Sequence, residues 1–247
     1  VSLRRSGTAR GKRRPILRFI VGALMAGASL LLAYQLYLFC MVVWYANKPP
    51  ASSSVMRAEL SRLRESDPDI QLQYSWTSYG QISGSLKRAV VASEDSQFTE
   101  HDGVEWDAIR KAWEYNQHQA ELGHDKMRGG STITQQLAKN LFLQGSRNYL
   151  RKGQELVLAY MIERVMSKQR ILELYLNIAE WGVGVFGAQA AAQHYYKTNA
   201  ANLTAAQAAT LAAMLPNPRY YDSHRGTRYL NLRSGIVQRR MTQVEIP

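Results

Sequence analysis

The sequence predicts a mainly α-helical domain behind one membrane-spanning helix. Three observations carry that prediction. Residues 19–46, FIVGALMAGASLLLAYQLYLFCMVVWYA, hold no charged side chain. Residues 1–18 hold seven lysines and arginines and no acid. From Leu86 onward, apolar residues recur mostly three and four apart, the spacing of one helix face.

As a helix, residues 19–46 extend about 42 Å, more than the roughly 30 Å of a bilayer's hydrocarbon core. The run is longer than the apolar part of a signal peptide, so it reads as a retained anchor. The basic tail, residues 1–18, keeps the N-terminus in the cytoplasm and sends residues 47–247 outside. The formal net charge is +12. With the tail set aside, the exported part carries an excess of only about five positive charges, a weak basis for nucleic-acid binding. The single cysteine, Cys40, lies within the span, so the exported domain is held by its core and not by disulfides. The five histidines show no metal-ligand spacing, and no zinc site is expected.

Residues 47–69 open on NKPPASSS, a linker, and continue as VMRAELSRLRE, a small amphipathic helix. Residues 70–247 form the remaining domain. In DIQLQYSW, Ile70, Leu72, Tyr74 and Trp76 alternate with polar residues, as in a half-buried strand. Residues 104–118 predict a helix burying Ile109, Ala112 and Trp113. Residues 147–166 predict a long one burying Leu156, Ala159, Tyr160 and Val165. Residues 168–178 offer Ile171, Leu172, Tyr175 and Leu176. LTAAQAATLAAMLPNP opens on a capping box, Thr204 with Gln207, and stops at two prolines; the sequon NLT at 202–204 reads as this helix start. The polar stretch 116–130 reads as a flexible flap. GVGVFG, from Gly182 to Gly187, matches G-x-G-x-x-G, but a helix ending in ELYLNIAEW is expected before it. A dinucleotide site needs a strand there, so these glycines read as a turn and a close helix approach.

Three stretches carry candidate chemistry. In SEDSQFTEHDG, residues 93–103, Glu94 falls where a helix gives way to a loop, beside Asp95 and near Phe98. An aromatic neighbour and a second acid raise a carboxyl pKa, which suits a general base. The plainer alternative is that Glu94 or Asp95 caps a turn while His101 packs in the loop. In RGGSTITQQLAKN, residues 128–140, Gly129 and Gly130 permit a tight entry and Ser131 is placed to cap a helix whose free amides favour an anion. Gln135 and Lys139 share one face of that helix, while Ile133, Leu137 and Leu141 form the buried one. An ordinary capped helix explains Ser131 but gives no purpose to Thr132, Thr134, Gln135 and Gln136. In RNYLRKGQE, a helix starting near Arg147 puts Arg147, Arg151 and Glu155 on one stripe with Lys152 alongside. Arg before Glu is the weaker order for a surface ion-pair ladder. Clustered cations with Lys139 suit a diphosphate, and the carboxylate holds them in place or binds a metal.

Together these stretches resemble the bacterial peptidoglycan glycosyltransferases of family 51, the transglycosylases that polymerise lipid II. The resemblance spans roughly residues 84–241. EDSQFTEHDG fits the family's E-D-x-x-F-x-x-H-x-G, and GGSTITQQLAKN fits its second motif throughout. RKGQE fits R-K-x-x-E, and KQRILELYLN fits K-x-x-I-L-x-x-Y-L-N. In the looser closing motif Arg233 is the equivalent arginine, and Ser234 stands where a second is usual. With no S-x-x-K in the chain and few residues after the last motif, the resemblance is to the monofunctional type.

The resemblance implies a lysozyme-like helical lobe and a small membrane-facing jaw lobe, with residues 70–247 as the glycosyltransferase domain. It implies Glu94 as the base that takes a proton from the acceptor sugar, with inversion at the donor carbon and departure of a polyprenyl diphosphate. It implies Glu155 as a second catalytic carboxylate that orients cations or holds a divalent ion, Mg or Mn, with no organic cofactor. Ser131, Thr132, Gln135, Gln136, Lys139, Asn140, Arg147, Arg151, Lys152, His101 and Arg233 are the implied substrate-binding residues. The implied partners are lipid II, the growing glycan on its polyprenyl diphosphate and membrane lipid. Division or elongation proteins are candidates through the span, and nucleic acid is not expected. The implied place is the bacterial inner membrane, crossed once, with a periplasmic catalytic domain. Two alternatives remain at this level: a lysozyme-like glycan hydrolase, and a non-catalytic membrane-anchored scaffold of the cell wall.

Overall fold

A computed structural model describes residues 13–124, 129–145 and 148–247. The chain divides into two compact units, residues 1–41 and 42–247. The first is the greater part of α1 (Arg13–Asn47), a helix whose segment Leu17–Asn47 is long and apolar enough to cross a membrane.

The second unit is mainly helical. Its helices are α2 (Ser54–Arg64), α3 (Gly84–Glu94), α4 (Trp106–Glu121), α5 (Ile133–Phe142), α6 (Tyr149–Val165), α7 (Lys168–Ile178), α8 (Ala188–Tyr196), α9 (Ala205–Met214), α10 (Pro218–Ser223) and α11 (Arg228–Arg240). Their starts are written in short polar side chains. Ser53, Ser83, Asn148, Ser167, Thr204 and Thr227 each accept a backbone N–H from the first turn of the following helix. At Thr204 the predicted capping box with Gln207 is present.

Two packed groups form the core. Helix α9 lies against both α3 and α11, and its run of alanines lets those neighbours approach closely. Helix α5 packs between α6 and α7, with Ile133, Leu137, Leu158, Ile162, Ile171 and Leu172 fully enclosed. Enclosing each such side chain contributes about 1.5–3 kcal/mol relative to leaving it in water.

A three-stranded sheet packs against α8 and α10. The strands are β1 (Gln73–Tyr74), β2 (Glu180–Gly182) and β3 (Val185–Phe186), in the order β1-β3-β2, with β1 parallel and β2 antiparallel to β3. The alternation from Ile70 to Trp76 persists as alternating exposure, although only two residues pair. Asn177 secures this edge from α7: its Oδ1 accepts the Thr77 N–H at 2.8 Å and its Nδ2 donates to the Thr77 carbonyl at 2.8 Å. Gly187, at φ 87°, leads into α8, and a Cβ there would lie 2.7 Å from the Asn177 carbonyl oxygen.

Several expectations need correction. Residues 180–187 form a hairpin, so a short strand does precede the second glycine of GVGVFG; it feeds an antiparallel turn, not a phosphate loop. Trp113 is 60% exposed, and α4 buries only Ala112 among its residues. Helix α6 presents Glu155, Leu158, Ala159 and Ile162 to the core, while Tyr160 is exposed and Leu156 and Val165 are half-buried. The expected stripe was rotated because it allowed no carboxylate on the buried face. The expected flap begins as helix, since 116–121 belong to α4; part of the rest lies outside the described residues.

Candidate active site

The C-terminus of α3 delivers Glu94 and Asp95 into different surroundings. Asp95 is buried, and its Oδ2 accepts the Ile133 N–H at 2.9 Å, so it caps the free amides that open α5. His101 approaches the same carboxylate through Nε2 at 2.9 Å, while its Nδ1 accepts the Gly103 N–H at 3.1 Å. That backbone donor leaves the ring proton on Nε2, where it faces Asp95. Lys168 closes the loop by donating to the His101 carbonyl at 2.5 Å and by lying over the Phe98 ring. His101, expected to bind substrate, is thereby engaged in fixing the loop; its side chain is only 10% exposed.

Glu94 is half-buried and makes no ion pair among the described residues. Its Oε2 accepts from Gln136 Nε2 at 3.0 Å, and its Oε1 accepts from Ser93 Oγ at 3.3 Å. Burial raises the Glu94 carboxyl above its ordinary value, and Asp95 adds to the rise. The Gln136 amide, the Arg233 guanidinium and the Ser93 hydroxyl pull the other way. Arg233 reaches this corner from α11, with Nη2 donating to Ser93 Oγ at 3.4 Å. Its neighbour Ser234 shares a hydrogen bond with Thr210 and takes no part here.

Helix α5 begins at Ile133, so Thr132 is the N-cap and Ser131 is not. Thr132 Oγ1 accepts the Gln135 N–H, and the Gln135 Oε1 accepts the Thr132 N–H, a complete capping box. Thr132 also donates to the Gly103 carbonyl at 2.6 Å. Both side chains are buried, and these two residues, expected to contact substrate, form the helix entry. Gly130 has a packing reason: a Cβ there would lie 2.9 Å from the Ala108 carbonyl oxygen of α4. Moved off the cap, Ser131 is free to accept a hydrogen bond from Lys152 Nζ at 3.2 Å.

The second carboxylate, Glu155, is enclosed, with 5% of its side chain exposed, and is ion-paired to Lys152 one turn earlier on α6. Lys139 and Arg151 line one cavity of about 280 Å³, together with Glu59 and Arg62 of α2 and Arg219 of α10. Glu59 is buried between Arg62 and Arg219, each at 2.7 Å. Asn140 is half-buried at the end of α5. Arg147 lies outside the described residues.

Sequence reading overlooked two members of this neighbourhood. Tyr175 of α7 is buried and donates from its hydroxyl to Gln136 Oε1 at 3.0 Å. Its place at helical spacing among Ile171, Leu172 and Leu176 made it look like plain core. The Glu59 cluster gave no signal, because Glu59 and Arg62 read as an ordinary pair one turn apart on α2 and Arg219 is distant in the chain.

A lysozyme-like helical fold holding two acids in unlike surroundings defines a class, the enzymes that act at the glycosidic carbon of a sugar. Comparison with known proteins narrows it. The family model described as Transglycosylase matches residues 62–242. The biosynthetic peptidoglycan transglycosylase of Bordetella pertussis is 70% identical over 230 residues, covering 93% of this chain and 95% of that protein. The protein of the same name from Bordetella avium is 68% identical over 239 residues, covering 97% and 100%. Its namesake from Laribacter hongkongensis is 50% identical over 232 residues, covering 94% and 100%. The chain belongs to the transglycosylase family.

Proposed function

We propose that this protein polymerises lipid II into the glycan strands of peptidoglycan, with Glu94 as general base. The observation that carries the reading is the placement of α5 between the two carboxylates. Gln136 on that helix donates to Glu94, and Ser131 just before it accepts from the lysine paired with Glu155. One rigid element thus spaces a proton-accepting group from a cation-bearing one.

Glu94 accepts the proton of the acceptor sugar's 4-hydroxyl as that oxygen attacks C1 of the donor. The new O–C1 bond forms as the bond from C1 to the diphosphate oxygen breaks, with inversion at the carbon. A diphosphate leaves with its electron pair and needs charge neutralisation more than a proton. Lys152, Lys139 and Arg151 are suited to that work, and Glu155 holds Lys152 in place. Gln136 and Arg233 favour the ionised form of Glu94 and offset part of the effect of burial.

A resident Mg or Mn ion fits this donor set poorly. Glu155 already has Oε1 engaged by Lys152, and no group of three or more possible ligand side chains occurs among the described residues. Helix α1 serves as the anchor, crossing the bacterial inner membrane once with its basic end in the cytoplasm. Confining enzyme and lipid substrate to one surface raises their effective concentration. The same span is the natural contact for division or elongation proteins.

The test is polymerisation of labelled lipid II by the detergent-solubilised protein. Glycan ladders from the wild type support the reading. Shortening of added mature glycan without ladders would transfer it to the hydrolase, and neither activity from folded protein to the scaffold.

A further inference from the structure

We propose that Tyr175 is a positioning residue for Glu94: its buried hydroxyl fixes the Gln136 amide in the orientation that offers N–H to the carboxylate. This rests on the reading of Glu94 as the base. A glutamine amide has two faces of nearly equal shape, an oxygen that only accepts and a nitrogen that only donates. At Gln136 the two ends point at different partners, Oε1 at the Tyr175 hydroxyl and Nε2 at Glu94, each at 3.0 Å. Rotation by 180° would turn the amide oxygen toward an anionic carboxylate. It would also strip the Tyr175 hydroxyl of the acceptor it now has.

The tyrosine is fit for this task because it does not titrate. Burial raises its hydroxyl well above the ordinary value, and the Glu94 and Asp95 charges add to the rise, so its proton stays in place throughout the working range. The ring sits in the α5–α7 core at 1% exposure, which leaves the hydroxyl little freedom to seek another partner.

The other groups facing Glu94 do not substitute for the amide. From α11, Arg233 acts at longer range and bonds Ser93. From α3 itself, Asp95 works against ionisation and is committed to His101 and the α5 amide. Helix α9 contributes the Ala212 carbonyl, which accepts from Ser93 Oγ at 3.3 Å. The donor that settles whether Glu94 is ready to take a proton is therefore Gln136, and its orientation is set from behind by Tyr175.

The experiment is an infrared titration of the Glu94 carboxyl in the full-length, detergent-solubilised protein, the band being assigned by its loss in Glu94→Gln. Tyr175→Phe keeps the ring and removes the hydroxyl; the Glu94 band then titrates at higher pH than in wild type. Gln136→Leu moves it in the same direction, and adding Tyr175→Phe to Gln136→Leu moves it no further. A Glu94 titration unchanged in Tyr175→Phe, or an added shift in the double variant, overturns the proposal. Kinetics separate it from the functional reading. With lipid II, Tyr175→Phe lowers kcat/KM about fivefold at the acid end, the equivalent of one net hydrogen bond. The loss fades as pH rises, with KM little changed. A band that moves while the acid limb stays still upholds Tyr175 as the positioner and removes Glu94 as the base. A loss of equal size at every pH with no movement of the band shows packing damage and overturns the proposal.

Discussion

Glu94 and Glu155 are the same side chain in opposite company. Glu94 is met by an amide and a hydroxyl, with Arg233 at a distance, and burial raises its pKa. Glu155 is more deeply enclosed, yet a lysine one turn away forms an ion pair with it. The difference teaches that burial alone does not assign a role. A recessed carboxylate with neutral donors holds its proton to higher pH than an exposed one, which suits it to take a proton from a substrate hydroxyl. One paired with a lysine serves as an anchor for that cation.

Exchanging a carboxylate for an amide on the Glu94 side tests the comparison most severely. Glu94→Gln is expected to lower lipid II polymerisation by about 10³-fold, within the range of a lost general base. Lipid II affinity, measured by binding at equilibrium, stays close to wild type. The same variant carries a second signature in stability. Because the folded pKa of Glu94 is raised, its contribution to stability is fully present below the ordinary carboxylate range and is lost as pH rises through the folded value. Activity runs the other way, appearing as the carboxyl ionises. Glu94→Gln is therefore expected to melt higher than wild type at neutral pH, by about 0.5–2 kcal/mol of added stability. A lower Tm at neutral pH would mean that Glu94 is a structural group.

On the other side of the comparison, Lys152→Ala leaves Glu155 enclosed without its cation. The expected loss in kcat/KM for lipid II is about 10²-fold, as for removal of one preorganised charge. A stability loss of about 1–3 kcal/mol accompanies it; the lysine side chain is 41% exposed, so the full penalty for breaking a buried pair does not apply. Equal effects of Lys152→Ala and Glu94→Gln on the pH profile would erase the distinction between the two carboxylates. The expected outcome is loss of the acid limb from the residual activity of Glu94→Gln, against an unmoved acid limb with a lowered plateau for Lys152→Ala.

Much of this site was legible in the residues, but not all of it in the right place. Glu94 at a helix end, Lys152 beside Glu155, and Gln136 one turn into a polar helix follow from spacing alone. Ser131 and Thr132 are adjacent hydroxyls of equal capping ability, and local sequence does not choose between them. The choice is made by the Gly103 carbonyl and by Asp95, both more than 25 positions away, which reach the first turn only in the fold. For the same reason the bond from His101 to Asp95 could not be read: it is made across a loop, and loop geometry has no period to read. Tyr175 failed differently, since a helical stripe announces burial and says nothing about where a hydroxyl points.

That one-residue shift of the cap yields the smallest and sharpest test. With Thr132 as the cap, Ser131 lies outside the helix and contributes a single bond of 3.2 Å to Lys152. Ser131→Ala is expected to cost about 0.5–1 kcal/mol or less in lipid II binding and nothing measurable in Tm. Thr132→Ala removes the cap and the bond to Gly103, and its expected loss is about 1–2 kcal/mol in stability. Thermal melts and lipid II titrations of the pair should cross over, one variant affecting binding and the other folding. If Ser131→Ala destabilised the protein more than Thr132→Ala, the cap would be at Ser131. The Lys152–Glu155 pair would then lose the hydroxyl that links it to α5, and with it the physical connection between the two carboxylates.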